Sequence, residues 1–492
     1  MEYESKESVH NKALKIKGKT QGELAKELNL KVNSNKNLMG DIFEAWFGKE
    51  KDNKSEPDLG VSELKATPFK KLKRKTNGNL YSSKERLVLN IIDYNKLDKE
   101  SFDNSHFLHK NRVLEIAFYE YLENISPDNF EFKYIIMYQM QKSPKDFEII
   151  KKDWEIIQDF VHKGKAEELS ESATNYLAAC TKGANKNSKR QQPHSNQPAK
   201  QRAFSFKNKF MTYLLNEKVI GNKHDDAVIK NSIELKNNSL EEVIEKRFKN
   251  YVGLTDIQIA KKLDVNLITT KNKAPKNFHN MIVRAILGIN KNNGNLNNIE
   301  EFEKSSIIPK TIQFDSKGIN KESMSLNYFK FCNLVNEYWD DEDEMAVADL
   351  NIYLSESKFL FIVFQEDENG NNILKGIKFY TFPKELINGP IKEVWEDTKN
   401  KVKTGVKLYY DGNHVHNNFI KQKNNMIIHV RPHASTSSYV NSSSSSRLPT
   451  PAQWTNKPAD FDDNFMTIQS FWINNTFIRK VVKNLISKKT DA

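Results

Sequence analysis

Glu56-Pro57-Asp58-Leu59-Gly60-Val61-Ser62-Glu63-Leu64-Lys65-Ala66-Thr67 is the stretch on which the reading of this chain turns. Pro-Asp-x-Gly spells a turn, because proline presets one backbone angle and glycine accepts the left-handed one. Val61 to Thr67 then predicts a strand leaving that turn. Residues two apart share a strand face, so Glu63 and Lys65 project together, and Asp58 at the turn can swing towards the same point. Two hard oxygen donors beside a lysine suit magnesium-dependent phosphodiester cleavage. In such a site the metal lowers the pKa of a bound water, and the lysine orients or deprotonates that water. Glu44, within the apolar run Ile42-Phe43-Glu44-Ala45-Trp46-Phe47-Gly48, is a further carboxylate candidate. The spacing alone is weakly specific in a chain that is 28% charged. Asp226 with Glu234-Leu235-Lys236 echoes it without a preceding glutamate helix, and a solvated charge cluster is the competing reading of both.

Working outward, the chain is written twice. Gln21-Gly22-Glu23-Leu24-Ala25-Lys26-Glu27-Leu28 and the later apolar helix ending at Gly48 correspond to Thr255 to Leu263 and to Ile282-Val283-Arg284-Ala285-Ile286-Leu287-Gly288. The spacing from Lys36 to Gly48 equals that from Lys276 to Gly288. A second pair follows in the same order. Tyr176 to Ala184 leads through a basic loop to a helix headed by Phe204 to Phe210. Likewise Ile427 to Ala434 leads through a serine-rich loop to a helix headed by Phe471 to Phe477. Residues 86–94, 112–119, 359–364 and 374–381 predict strands, and 145–162, 239–251 and 391–402 predict amphipathic helices. The expected class is mixed α+β (α/β), with a duplicated domain at 1–220 and 221–492. Residues 185–202 and 435–450, rich in Ser, Asn, Gln and Pro, read as irregular solvated loops at the same place in each copy.

Composition fits a chain with room for large cores: 492 residues, 38% hydrophobic and 11% aromatic. No apolar run approaches the length of a membrane span, and the charged N-terminus lacks a secretion signal, so a cytoplasmic bacterial protein without a membrane partner is expected. Two cysteines, Cys180 and Cys332, make no disulfide framework or zinc pattern. The net charge of +12 favours a polyanionic partner. Residues 181–210 hold eight Lys or Arg and no acid, and Lys70, Lys71, Lys73, Arg74 and Lys75 follow the candidate strand. Two basic runs flanking one candidate phosphate-cutting site point to contacts with a nucleic-acid backbone. Neither His414, His416, His429 and His433 nor the acidic run 340–344 fits a common metal-binding pattern.

The order Lys36-x-x-x-Gly40, Glu44-Ala-Trp-x-Gly48, Asp58, Gly60-Val61-x-Glu63-Leu64-Lys65 resembles the MutH-like nucleases, of the PD-(D/E)xK superfamily. Tyr176-Leu177, Lys182-x-Ala184-Asn185 and Phe204-x-Phe206-Lys207 continue that resemblance, and the duplicated length is similar to the two-lobed type II restriction endonucleases of the Sau type, which cut at GATC. The resemblance implies a restriction-endonuclease-like fold, Mg2+ as cofactor and double-stranded DNA as partner. It implies Asp58 and Glu63 as metal ligands, Lys65 as the water-activating lysine and Glu44 as a supporting carboxylate. It places Lys182, Ser205 and Lys207 in the DNA-reading part of the first lobe, where Cys180 and Thr181 replace the family's Arg-Pro pair.

The second copy departs from the pattern. Arg284 stands at the place of Glu44, and matching Lys310-Thr311-Ile312 to Lys65-Ala66-Thr67 puts Ile308 at the place of Glu63 and Glu303 at that of Asp58. Loss of a central carboxylate and gain of a cation predict an inert site. Yet Arg431-Pro432-His433-Ala434 keeps the recognition-loop pattern, making Arg431 and His433 candidates for DNA contact; a buttress for the first lobe is the competing reading of this copy. Arginine can pair bidentately with guanine or simply hold a phosphate. One live site per chain predicts cooperation of two molecules on DNA. A methylation-directed nicking repair nuclease and a non-catalytic DNA-binding regulator are the alternatives.

Overall fold

A computed structural model of the protein describes residues 3–30, 38–49, 56–76, 78–123, 125–183, 187–222, 226–265, 275, 277–289, 294–339, 347–425 and 427–486. Lys36, Lys186, Lys276 and the acidic run 340–344 lie outside the described residues. The chain gathers into two compact units, one of Met1–Arg247 with Val283–Ile308, the other of Phe248–Ile282 with Pro309–Ala492. Among the described residues no helix is long and apolar enough to cross a membrane.

The first unit begins with α1 (Lys6–Ala13), α2 (Gln21–Glu27) and α3 (Leu38–Trp46). The Ser5 side chain accepts from the Ser8 amide at the start of α1, and Thr20 and Glu23 cap α2 reciprocally. There follow β1 (Glu63–Thr76), β2 (Asn79–Ser83), β3 (Leu87–Ile91), α4 (Tyr94–Leu97), α5 (His106–Asn111), β4 (Val113–Glu120), β5 (Phe132–Gln139) and α6 (Pro144–His162). The copy closes with β6 (Leu177–Thr181), β7 (Lys189–Gln192), β8 (Ser195–Lys200), β9 (Arg202–Phe206) and α7 (Asn208–Ile220).

One sheet has the order β2-β1-β4-β5. Strand β1 runs parallel to β4 and antiparallel to β2, and β4 is antiparallel to β5, so the sheet is mixed. Leu64 joins the core built by Val9, Ile16, Leu24, Ile42, Phe43 and Phe47 of the leading helical segment. Side chains alternate along a strand, so the residues flanking Leu64, namely Glu63 and Lys65, are turned away from that core. A second sheet has the order β3-β9-β6. Helix α6 buries the stripe Ile149, Ile150, Trp154, Ile157 and Val161, the period expected of a surface helix.

The second copy starts with α8 (Leu240–Lys249), α9 (Asp256–Lys262), α10 (Phe278–Ile286) and α11 (Glu300–Ser305). Its strands are β10 (Ile307–Phe314), β11 (Met324–Phe329), β12 (Lys358–Glu366), β13 (Asn372–Tyr380), β14 (Lys407–Tyr410), β15 (Val415–Asn417) and β16 (Ile428–Pro432). They continue with β17 (Ser445–Arg447), β18 (Gln453–Thr455), β19 (Phe465–Thr467) and β20 (Gln469–Ile473). The order β10-β12-β13 echoes β1-β4-β5, and β11-β20-β16 echoes β3-β9-β6.

Smaller devices recur as well. Thr255 and Gln258 cap α9 as Thr20 and Glu23 cap α2. Asn29 and Asp264, just past those helices, take φ of 51° and 52°. Thr20 bridges Glu131 and Thr255 bridges Ile373. Gly48 and Gly288 both end their helices at φ 72°, a region costly for any residue with a Cβ.

Three sequence expectations need correction. Phe204 to Phe206 lies in β9 and Phe471 to Ile473 in β20; the closing helices begin only at Asn208 and Asn475. The aromatic run served a strand in both copies, where neighbouring strands supply its hydrogen bonds. Residues 185–202 contain the β7–β8 hairpin. Within 435–450, β17 pairs with β19. Polar composition does not exclude such ribbons, because an antiparallel pair can face water.

Candidate active site

The turn before β1 and the first residues of that strand draw the expected carboxylates together. The Leu64 amide donates to Asp58 Oδ2 at 3.1 Å, and the Asp58 amide donates to Glu63 Oε2 at 3.0 Å. Turn and strand therefore hold one another's carboxylate through the backbone. Lys65 Nζ lies 2.7 Å from Glu63 Oε1, so the two side chains do share a face and meet. Glu63 is only 2% exposed.

Two lysines that sequence reasoning did not single out complete the cluster. Lys49 Nζ stands 2.6 Å from Asp58 Oδ1, and Lys110 Nζ stands 3.6 Å from Glu63 Oε1. Lys49 follows Gly48, whose left-handed turn ends α3 and sends the next side chain back towards Asp58. That signal was present in the Ala-x-x-Gly pattern. Lys110 comes from α5, and nothing local in the sequence distinguishes it from the chain's many other lysines.

Electrostatics ties Glu44 to the same place. Burial pushes the Glu44 carboxyl above its ordinary value; the negative charge of Asp58 adds to the rise and Lys65 opposes it. Glu63 is also raised, first by burial; Lys65 and Lys110 pull it down while Asp58 pushes it up. Burial leads both rises, so these carboxylates are held where their charge is poorly solvated. Clustered hard oxygen donors left in that state fit a hard divalent cation, with Asp58 and Glu63 as the groups to hold it.

The expected DNA-reading residues divide. Lys182 is exposed at the end of β6, its amide bonded to the Gln201 carbonyl at 2.9 Å. Ser205, by contrast, is fully buried in β9 between Val88 and Ala178. Lys207 is 2% exposed, and its Nζ donates to the Thr174 carbonyl at 2.6 Å. Ser205 and Lys207 are thus part of the sheet and its closing turn, buried in this structure rather than presented at its surface. Burial raises the Asp153 carboxyl to about 7, opposed by the amides of Asn175, Tyr176 and Leu177 and by the charge of Lys207.

Arg431 and His433 are exposed at the end of β16. The Arg431 guanidinium lies 4.5 Å from the centre of the Trp472 ring, and His433 lies 5.9 Å from the same ring. Stacking on an aromatic plane presents the flat cation without locking it in an ion pair.

The second copy's counterparts are placed differently. Arg284 is 1% exposed, with Nη2 2.6 Å from Asp226 Oδ2. Glu303 lies in helix α11, not in a turn, and accepts from the Asn79 amide group. Ile308 is the second residue of β10, and burial lowers the Lys310 ammonium in the same strand.

Comparison with known proteins agrees with this reading. Residues 47–153 match the family of the DNA mismatch repair enzyme MutH, so the class is a MutH-like nuclease. The matched span contains Asp58, Glu63 and Lys65. Over 498 aligned residues, covering 98% of this chain and 99% of the relative, the protein is 45% identical to the type II restriction enzyme Sau3AI of Staphylococcus aureus. The chain belongs to that family of type II restriction endonucleases. It is a site-specific deoxyribonuclease acting on double-stranded DNA, of a kind that uses a divalent metal.

Proposed function

We propose that the chain hydrolyses phosphodiester bonds at 5'-GATC-3' with Mg2+, at one site per chain in the N-terminal copy, 1–220. The observation carrying this reading is the convergence of Asp58, Glu63 and Lys65, each within hydrogen-bonding distance of another member of the cluster. Asp58 and Glu63 hold the cation, which stabilises charge on the phosphate and lowers the pKa of water. Lys49 and Lys65, now paired with those carboxylates, would share them with the bound cation. Lys65 would orient the attacking water and steady the charge that develops on the phosphate, while Glu44 would sustain the negative field from α3. The basic hairpin β7–β8 and Lys182 contact the DNA backbone.

The C-terminal copy, 221–492, is catalytically inert and serves recognition or clamping. Arg431, presented by Trp472, and His433 are its candidates for base contact. The GATC assignment rests on the family resemblance of the motifs and their order. One live site per chain requires two chains, or two visits, to cut both strands, so we infer self-association on DNA. Turnover of a two-site plasmid should exceed that of a one-site plasmid at low protein concentration; equal rates across concentrations would remove that inference.

Cleavage of unmethylated plasmid in Mg2+, beside Lys65→Ala, tests the whole reading. Defined ends at GATC that vanish in the variant support it. Ends at another sequence would overturn the specificity, and wild-type-like cutting by the variant would overturn the site.

A further inference from the structure

The β7–β8 hairpin is tied to the body of the first unit by a cluster that the nuclease reading leaves unused. Asp98 ends α4, His162 is the last residue of α6, and His194 sits in the turn of the hairpin. Three separate segments thus converge. His162 Nδ1 lies 2.7 Å from Asp98 Oδ1, and His194 Nε2 lies 3.0 and 3.1 Å from Asp98 Oδ1 and Oδ2. One donor atom from each residue falls within 4.8 Å of the other two.

The backbone is shaped for this meeting. His194 takes φ 61°, an unusual conformation for a residue with a Cβ. Gly164, just beyond α6, makes the approach possible: a Cβ there would stand 2.5 Å from the His194 carbonyl oxygen. Gln192, at the end of β7, accepts from the Ala166 amide at 2.8 Å, so the hairpin is also anchored at the strand that leads into its turn.

We propose that Asp98, His162 and His194 form a second metal site, taking a borderline transition cation of the Zn2+ class, and that the ion staples the basic hairpin to the scaffold. Two imidazole nitrogens and one carboxylate oxygen select such a cation over Mg2+, which demands oxygen. Tetrahedral zinc places its ligand atoms about 3.3 Å apart. The two histidine–carboxylate separations, 2.7 and 3.0 Å, would open by a few tenths of an ångström to admit the ion, with the metal-facing ring nitrogens carrying no proton. The rings are about half exposed, leaving an open fourth position for water. Lys189, Arg190 and Lys200 are exposed on this hairpin, so the ion would fix the placement of a positively charged ribbon.

The inference is independent of the nuclease reading, and so is its test. The chelator-treated full chain is titrated with Zn2+ by calorimetry in excess Mg2+, which occupies the carboxylate site. Wild type should bind one Zn2+ per chain and show a higher unfolding temperature with zinc. His194→Ala and His162→Ala should each weaken binding at least about tenfold, as even indirect partners of a metal ligand do. Asp58→Asn should leave it unchanged. Both histidines are solvent-facing, and zinc-free unfolding curves confirm that the variants fold. No uptake by folded wild type at micromolar zinc, or uptake equal in His194→Ala, would overturn the site.

Discussion

The two copies carry one scaffold to opposite chemical ends. Helix α3 brings a glutamate, four residues before Gly48, to the carboxylates of the first copy; α10 brings an arginine, four residues before Gly288. In the first copy a turn delivers Asp58 to Glu63 through backbone bonds. In the second, helix α11 occupies the stretch before the strand, and its charges are taken up mostly by partners remote in sequence. Lys304 pairs with Asp146 at 2.8 Å and with Glu300 at 2.7 Å, and Glu301 caps the amides of Val228 and Ile229. Arg284 pairs with Asp226, and a Cβ on Gly294 would sit 2.6 Å from its guanidinium. What duplication preserved is what folding needs: reciprocal helix caps, left-handed turns and strand order. What it discarded is a set of carboxylates that costs stability to keep crowded and buried.

The comparison breaks most directly at the paired lysines. Lys65→Ala should lower the cleavage rate by about a hundred- to a thousandfold, the range for a lost group that stabilises charge in the transition state. Lys310→Met, its sequence counterpart, should leave the rate within about twofold, measured on plasmid in Mg2+. A comparable loss in both would mean that the second site is alive. The next effect falls on stability. Arg284→Glu restores the first copy's carboxylate but leaves it buried beside Asp226. Breaking a buried pair in this way should cost about 3–5 kcal/mol, read as a shift of the urea midpoint, with no gain in cleavage.

Much of this contrast was legible in the sequence, for physical reasons. The two leading helices were readable from their repeated Ala-Lys and Ala-x-x-Gly patterns and apolar spacing, because those signals are local. Asp58, Glu63 and Lys65 could be placed together because a turn followed by a strand fixes their directions within a few residues. The burial of Ser205 was not legible because it depends on β3 and β6, which flank β9 and are remote in sequence. Helix α11 was missed for a related reason. Matching strand to strand carried Glu303 onto Asp58 by counting, and counting cannot register a helix that replaces a turn.

A smaller effect sharpens the division of labour between the copies. Arg431→Ala should weaken binding of GATC duplex by about 10–100-fold, the value of one bidentate base contact, while single-turnover cleavage at saturating DNA stays unchanged. If Arg431 only holds a phosphate, the loss should instead be equal on duplexes of any sequence.

The smallest effect lies within the first site itself, at Glu44. Burial and the charge of Asp58 raise its carboxyl above the ordinary 4.5, so the folded protein holds the proton more tightly than the unfolded chain. Ionising Glu44 therefore costs stability: the cost is absent below about 4.5 and reaches its full size once pH has passed the raised folded value. Glu44→Gln removes that cost, so at neutral pH it should raise the unfolding midpoint by about 1–2 °C, and the gain should vanish in acid. Cleavage should fall only severalfold, because Asp58 and Glu63 remain to hold the cation. The acid limb of wild-type cleavage should lie above pH 4.5, since the raised Glu63 carboxyl must also ionise before a cation can bind. In the variant that limb should persist, carried by Glu63 alone. A variant less stable than wild type at neutral pH would show that Glu44 is held by attraction, and that the first copy, like the second, had already balanced its charges.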